Sequence, residues 1–174
     1  DEDGGYLVDK VLDKAAQKGT GKWTSQLALD LGVPTTAITE AVFARCLSFQ
    51  KDERVAASTQ LPGPSTTIET GDTAQLVNDI RDALYASKIV AYAQGFVQLD
   101  AAAAENGWTL DRGSIATIWR GGCIIRAEFL EDIYQAYKKQ PDLQHLFSDE
   151  NVQVKIKQSL KGTRNVVSSA INAG

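Results

Sequence analysis

The sequence contains no methionine in 174 residues, only two cysteines, four prolines and a single histidine. A translated chain begins with Met. One that opens Asp1-Glu2-Asp3-Gly4-Gly5 and stops at Ile171-Asn172-Ala173-Gly174 is therefore expected to be processed, or cut from something longer. Cys46 and Cys123 form no CxxC pair, and His145 stands far from both, which argues against a zinc site or a disulfide scaffold. The expectation is two buried free thiols in a reducing compartment. No apolar run approaches the ~20 residues of a membrane helix, and no basic-led hydrophobic signal segment precedes the chain. The 18 basic residues against 22 acidic ones leave a net charge of −4, without the broad positive field that nucleic acid or an anionic membrane attracts. With 43% hydrophobic and 23% charged residues the composition is that of a globular chain, and the length fits one domain or part of a larger one.

What is present is helical periodicity. Leu7, Val8, Val11, Leu12, Ala15 and Ala16 recur at i, i+3/i+4 and predict a first amphipathic helix. The two glycines of Gln17-Lys18-Gly19-Thr20-Gly21-Lys22-Trp23-Thr24 predict a loop there. Thr24 or Ser25 is expected to cap a short helix through Leu31 that ends at Gly32. A third helix is expected over roughly 35–58, and the stretch Leu61-Pro62-Gly63-Pro64-Ser65-Thr66-Thr67 predicts a loop, its last three residues lying outside those the structure describes. From Asp72 or Thr73 to Glu105 the pattern predicts one long helix stopped by Asn106-Gly107. Asp111 or Ser114 then opens a helical region, kinked or divided at Gly121-Gly122, that runs to Tyr137. Pro141 is expected to open a short helix, and a last helix covers about 149–172. No hairpin turn or β-branched run bounded by turns is found, so the fold class is all-α, with one long central helix.

Two features carry possible chemistry. The first is the loop Lys18-Gly19-Thr20-Gly21-Lys22-Trp23-Thr24, with two lysines, hydroxyls and glycines leading into a helix start. Glycines let a backbone approach an anion, and helix-start amides with lysine ammonium groups favour phosphate. Its other reading is a flexible glycine turn with solvated lysines. It is not a Walker A loop, because Ala16 stands where the first glycine belongs and Trp23 where the Ser or Thr belongs. It also fails the dinucleotide fingerprint, ending on Thr24 after a helical segment. The second feature is Arg45. At about 100° per residue, with Ile38 at zero, Val42 falls at about 40°, Phe49 at about 20° and Arg45 at about 340°. Arg45 is thus expected on the apolar stripe, where its guanidinium must snorkel, pair with a carboxylate or face a ligand. The small residues of Trp119-Arg120-Gly121-Gly122-Cys123-Ile124-Ile125-Arg126 are read as tight helix packing with Arg120 and Arg126 paired. His145 is read as a surface or capping residue, and Asp52-Glu53 as a solvated face. Spacing assembles no nucleophile–base pair.

The blocks Gln17–Thr24, Ala41-Val42-Phe43-Ala44-Arg45-Cys46-Leu47-Ser48, Lys51-Asp52-Glu53-Arg54, Ala83-Leu84-Tyr85-Ala86-Ser87-Lys88, Tyr92-Ala93-Gln94-Gly95-Phe96 and Trp119–Arg126 resemble, in order, the all-helical domain of the decarboxylating 6-phosphogluconate dehydrogenases. The resemblance implies an NADP-dependent oxidative decarboxylation of 6-phosphogluconate to ribulose 5-phosphate and CO2, in the pentose phosphate pathway, without a metal. It implies a homodimer in the cytoplasm or a plastid, with no nucleic-acid or membrane partner. It places Lys18, Thr20 and Arg45 on the substrate, chiefly on its phosphate, so the same residues are singled out twice. It also implies that the NADP-binding domain and catalytic base lie upstream of Asp1 and a phosphate-contacting tail lies beyond Gly174. Residues 1–174 are then a single-domain fragment for substrate binding and dimerisation, with no catalytic residue of its own. The competing expectation is a non-catalytic helical module for dimerisation or sugar-phosphate binding.

Overall fold

A computed structural model describes residues 4–64, 68 and 70–174, and among these it contains helices and no strand. The helices are α1 (Leu7–Lys10), α2 (Thr20–Asp30), α3 (Thr36–Phe49), α4 (Lys51–Ser58), α5 (Thr73–Asn106), α6 (Arg112–Ile118), α7 (Phe129–Lys139) and α8 (Glu150–Ala173), with a 3-10 turn at Leu146–Ser148 before α8.

The 34-residue α5 is the spine. Asp72 starts it by accepting a hydrogen bond from the Gln75 N–H at 3.0 Å, and Gly107 ends it in the left-handed region at φ 68°. Asp111 and Asp149 cap α6 and α8 in the same way, at 3.0 Å each. The core lies along the second half of α5: Ile89, Tyr92, Ala93 and Phe96 meet Ala116, Phe129, Leu130, Ile133, Ala136 and Tyr137, and the cluster is closed by Leu143, Leu146 and Val152. Phe96 stacks at 5.3 Å on both Trp119 and Tyr137.

α8 runs along α5 in close contact, and Gly162 makes that possible. A Cβ there would stand 2.9 Å from Asp82 Cβ and 3.0 Å from the Asp79 Cα. Beside it the buried Asp79 carboxylate is satisfied by the amides of Gln75 and Asn165, each at 2.9 Å.

Several expectations need correction. The first amphipathic helix covers only Leu7–Lys10, and its apolar residues are exposed; residues 12–17 are not helical. They are pinned along α3 and α4 by side chains that compete for their backbone. The third helix is two, broken at Gln50, and Arg54 Nη2 donates to the Ser48 carbonyl at 3.0 Å at the break. Pro141 opens a turn and the 3-10 segment, not an α-helix. His145 does cap that segment, its Nδ1 accepting from the Phe147 N–H at 3.1 Å. The Trp119–Arg126 stretch does not pack tightly: Ile124 is 99% exposed and a Cβ on Gly121 would meet nothing within 4 Å. Arg120 pairs with Glu131, whereas the Arg126 side chain has no ion-pair partner among the described residues. Both cysteines are half-buried, not buried.

Two helical glycines are expected to respond oppositely to alanine. Gly162→Ala overpacks the α5–α8 contact at about 1–3 kcal/mol, which exceeds the ~1 kcal/mol gained in helix propensity, and lowers the melting temperature. Gly95→Ala, with open space around the added Cβ, gains propensity alone and raises it. Thermal denaturation of the two variants checks the pair, and a stabilised Gly162→Ala contradicts the packing role.

Candidate functional site

The helix carrying the lysine-glycine segment starts earlier than its sequence predicts. Gly19 is the N-cap of α2, at φ 126° and ψ −40°, a conformation that glycine adopts freely and L side chains rarely do. Thr20, Gly21 and Lys22 are therefore the first turn of a helix, not a loop. Gly21, costly in a helix by propensity, is accounted for by packing: a Cβ there would lie 2.8 Å from Val42 Cγ2 on α3. The segment's two glycines thus serve a backbone angle and a helix crossing. Thr24 and Ser25, expected as caps, instead donate back to the carbonyls of Thr20 at 2.7 Å and Gly21 at 3.1 Å.

The start of α2 is chemically open. It has no capping side chain and no acidic residue in its first turn. The other helices of eight or more residues are served: α5 and α8 by aspartate caps, α4 and α7 by first-turn carboxylates, and α3 by Gln94. Gln94 Oε1, on α5, accepts from the Ala37 N–H at 3.0 Å and the Ile38 N–H at 3.4 Å. Lys18 and Lys22 flank the α2 start, exposed and without side-chain partners among the described residues. Uncompensated helix-start amides and nearby ammonium groups together favour an anion.

Of the arrangements its helical phase suggests, Arg45 does not take the ion pair: no carboxylate partners it among the described residues. α3 has no buried residue, so its apolar stripe is not core-facing, and Arg45 is exposed. Its Nη2 donates to the Ala16 carbonyl at 2.6 Å. That fixes the guanidinium two residues upstream of Lys18, and two residues of extended chain span at most ~7 Å. Arg45 retains four further N–H donors. Thr20, the third candidate, is exposed at the first helical position of α2.

The α2–α3 pair reaches the rest of the domain through polar groups. The nearly buried Gln98 donates from Nε2 to the Thr24 carbonyl at 2.8 Å, and Gln94 Nε2 donates to Thr36 Oγ1 at 3.0 Å. A hydroxyl chain from Thr35 through Thr39 to Ser25, each step 3.1 Å, joins the two helices. Neither glutamine stands out in the sequence, because a pin of this kind joins residues more than fifty positions apart.

No group of three or more His, Cys, Asp or Glu side chains suited to a metal lies together among the described residues, and no helix is long and apolar enough to cross a membrane. The lysine-glycine segment is not a dinucleotide-binding turn. The single Gly-x-Gly follows irregular chain, not a strand, and the space over Gly21 is filled by Val42.

The fold defines an all-helical domain organised on one long helix, its first helical pair attached by hydrogen bonds. The family model for the 6-phosphogluconate dehydrogenase C-terminal domain matches residues 1–174, and the chain belongs to that family. It is 52% identical over 173 residues to 6-phosphogluconate dehydrogenase, decarboxylating, of Schizosaccharomyces pombe, covering 99% of this chain and 35% of that protein. Against the Lactococcus lactis IL1403 and human proteins of the same name the figures are 54% and 52%, over all of this chain and 37% and 36% of theirs. The chain therefore spans about a third of the length of the curated relatives it matches. A solved structure of Plasmodium falciparum 6-phosphogluconate dehydrogenase, described in apo form and in complex with its cofactor NADP+ and its substrate 6-phosphogluconate, superposes with a TM-score of 0.90 at 40% identity, over 97% of this chain and 36% of that one.

The ion cluster behind the site titrates low. Hydrogen bonds from Lys51 and then Arg54 hold the Asp13 carboxyl down at about 2, against an ordinary 3.8. Since the folded value lies below the unfolded one, what the cluster contributes is present in full above about pH 4 and lost as the pH falls through about 2. An NMR titration of the Asp13 carboxyl is expected to show a midpoint near 2; a midpoint near 3.8 contradicts the cluster.

Proposed function

We propose that this chain is the phosphate-holding and dimerising helical part of a decarboxylating 6-phosphogluconate dehydrogenase. In this reading Lys18, Thr20 and Arg45 hold the phosphate of 6-phosphogluconate. The observation that carries it is Arg45 tied to Ala16 close in the chain to the start of α2, which has neither a capping side chain nor a first-turn carboxylate and where Lys18 and Thr20 stand. A dianionic phosphate would take helix-start amides, the Thr20 hydroxyl, the Lys18 ammonium and the remaining Arg45 donors, all charge-assisted contacts. The relatives' names and the substrate complex of the P. falciparum enzyme support this reading. Hydride and proton transfer, and NADP, belong in it to parts of the enzyme that residues 1–174 do not span. The setting it implies is the pentose phosphate pathway of the cytoplasm or a plastid.

Exposed apolar side chains support the dimer. Trp23, Leu29, Phe43 and Leu47 of α2 and α3, with Ile118 and Ile124, are each more than half exposed, and large apolar side chains left open to water favour association. At micromolar concentration, analytical ultracentrifugation is expected to find a dimer or larger assembly; a clean monomer contradicts this part of the reading.

Titration calorimetry of the chain is expected to show weak binding of 6-phosphogluconate and none of gluconate, because the phosphate carries the recognition. Arg45→Ala is expected to weaken binding by about 10- to 100-fold, the worth of one charged hydrogen-bonding group. Equal responses to the two sugar acids, or an unaffected Arg45→Ala, overturn the site. Mixed with 6-phosphogluconate and NADP, the chain is expected to yield no NADPH, and NADPH formation overturns the assignment of the chemistry to other parts.

A further inference from the structure

We infer that Asp13 is a positioning residue for the phosphate donors, acting through Lys51 and Arg54; this rests on the phosphate reading of the α2 start.

Residues 13–16 form a strap laid against α3 and α4, and three of its four residues are fixed. The Asp13 carboxylate accepts from Lys51 Nζ and from Arg54 Nη1, the latter at 3.1 Å. Arg54 Nη2 donates to the Asp13 carbonyl at 2.9 Å and to the Ser48 carbonyl at 3.0 Å, so one guanidinium joins the strap to the end of α3. The Ala15 N–H donates to Ser48 Oγ at 3.1 Å. Arg45 then takes the Ala16 carbonyl. The strap and the proposed phosphate arginine therefore share a backbone peptide, and Lys18 follows two residues on. Where the strap lies sets where Lys18 starts and which way Arg45 points.

Nothing apolar does this job instead. None of the described residues from Gly4 to Lys18 is buried, and the core is built from Ile89 to Val152. The strap is held by hydrogen bonds and charge, with Lys14 over the Phe49 ring at 5.1 Å as its one aromatic contact. Removing the Asp13 charge is thus expected to free the strap and leave the core intact, which separates positioning from folding. None of these four side chains bonds to the start of α2 itself: Asp13, Ser48, Lys51 and Arg54 bond to the strap or to one another, and Ser48 Oγ also to the Arg45 carbonyl at 2.8 Å.

The test compares the parent chain, Asp13→Asn, Asp13→Glu and Lys51→Gln, using 6-phosphogluconate as the probe. Asp13→Asn is expected to raise the dissociation constant about tenfold and to lower the heteronuclear NOE of residues 13–18, with the signals of Phe96 and Ile133 unmoved. Asp13→Glu, which keeps the charge, is expected to bind within about threefold of the parent. Lys51→Gln reads the same cluster from the other side should Asp13→Asn lose its helical signal. If the parent binds and Asp13→Asn binds equally well with an unchanged NOE, the positioning role falls while the phosphate reading stands. If Asp13→Asn and Lys51→Gln shift the core signals together with binding, the role is structural and the inference is overturned. If the parent shows no response to 6-phosphogluconate, both fall.

Discussion

Hydrogen bonding, not apolar burial, sets where the α2–α3 pair sits. A helix normally finds its place by covering an apolar face, yet α3 has no buried residue and α2 has only Ala28. Two glutamines on α5, Gln94 and Gln98, supply the register instead, one by occupying the open amides of α3 and the other by taking the Thr24 carbonyl of α2. Directional contacts of this kind each fix a distance and an angle, which an oily contact does not. They leave apolar surface on α2 and α3 exposed, and they hold one helix start open while closing its neighbour.

The openness of α2 follows from what surrounds it. Asp72 and Asp149 complete the starts of α5 and α8 with an internal carboxylate, so those ends have no call for an external anion. At α2 the cap is Gly19, which has no side chain to offer, and the charges nearby are Lys18, Lys22 and the tethered Arg45. Positive charge beside a positive helix end is unfavourable by itself. A bound phosphate would neutralise both, which gives the arrangement a physical reason beyond its ancestry. The strap beside it carries a carboxylate instead: Asp13 is held between the cations Lys51 and Arg54.

Much of the architecture was legible because it is local. Asp72 and Asp111 mark helix starts through their own carboxylates and Gly32 and Gly107 mark helix ends through their backbone angles, and the long periodic run of α5 was read within a residue or two of its bounds. The misreadings came where distant residues override local preference. Leu7 to Ala16 has helical spacing, but residues 13–16 are not helical and their backbone is bound by side chains from α3 and α4. Gly21 reads as a helix breaker until Val42 occupies the space its missing Cβ leaves. Of the site, Lys18 and Thr20 were visible as an unusual cluster. Arg45 was singled out by its helical phase, although the stripe it shares is exposed and its partner is a carbonyl that no sequence pattern reveals. Asp13, Gln94 and Gln98 carried no local signal at all.

A nitrogen-15 chemical-shift map of the chain, recorded as 6-phosphogluconate is added, tests the convergence of these groups most directly. The largest changes are expected together at the amides of Lys18 to Lys22 and at Arg45 Nε, saturating on one binding curve. Shifts that gather elsewhere while these signals stay still, or that follow separate curves at the lysine loop and at Arg45, would contradict a shared phosphate site.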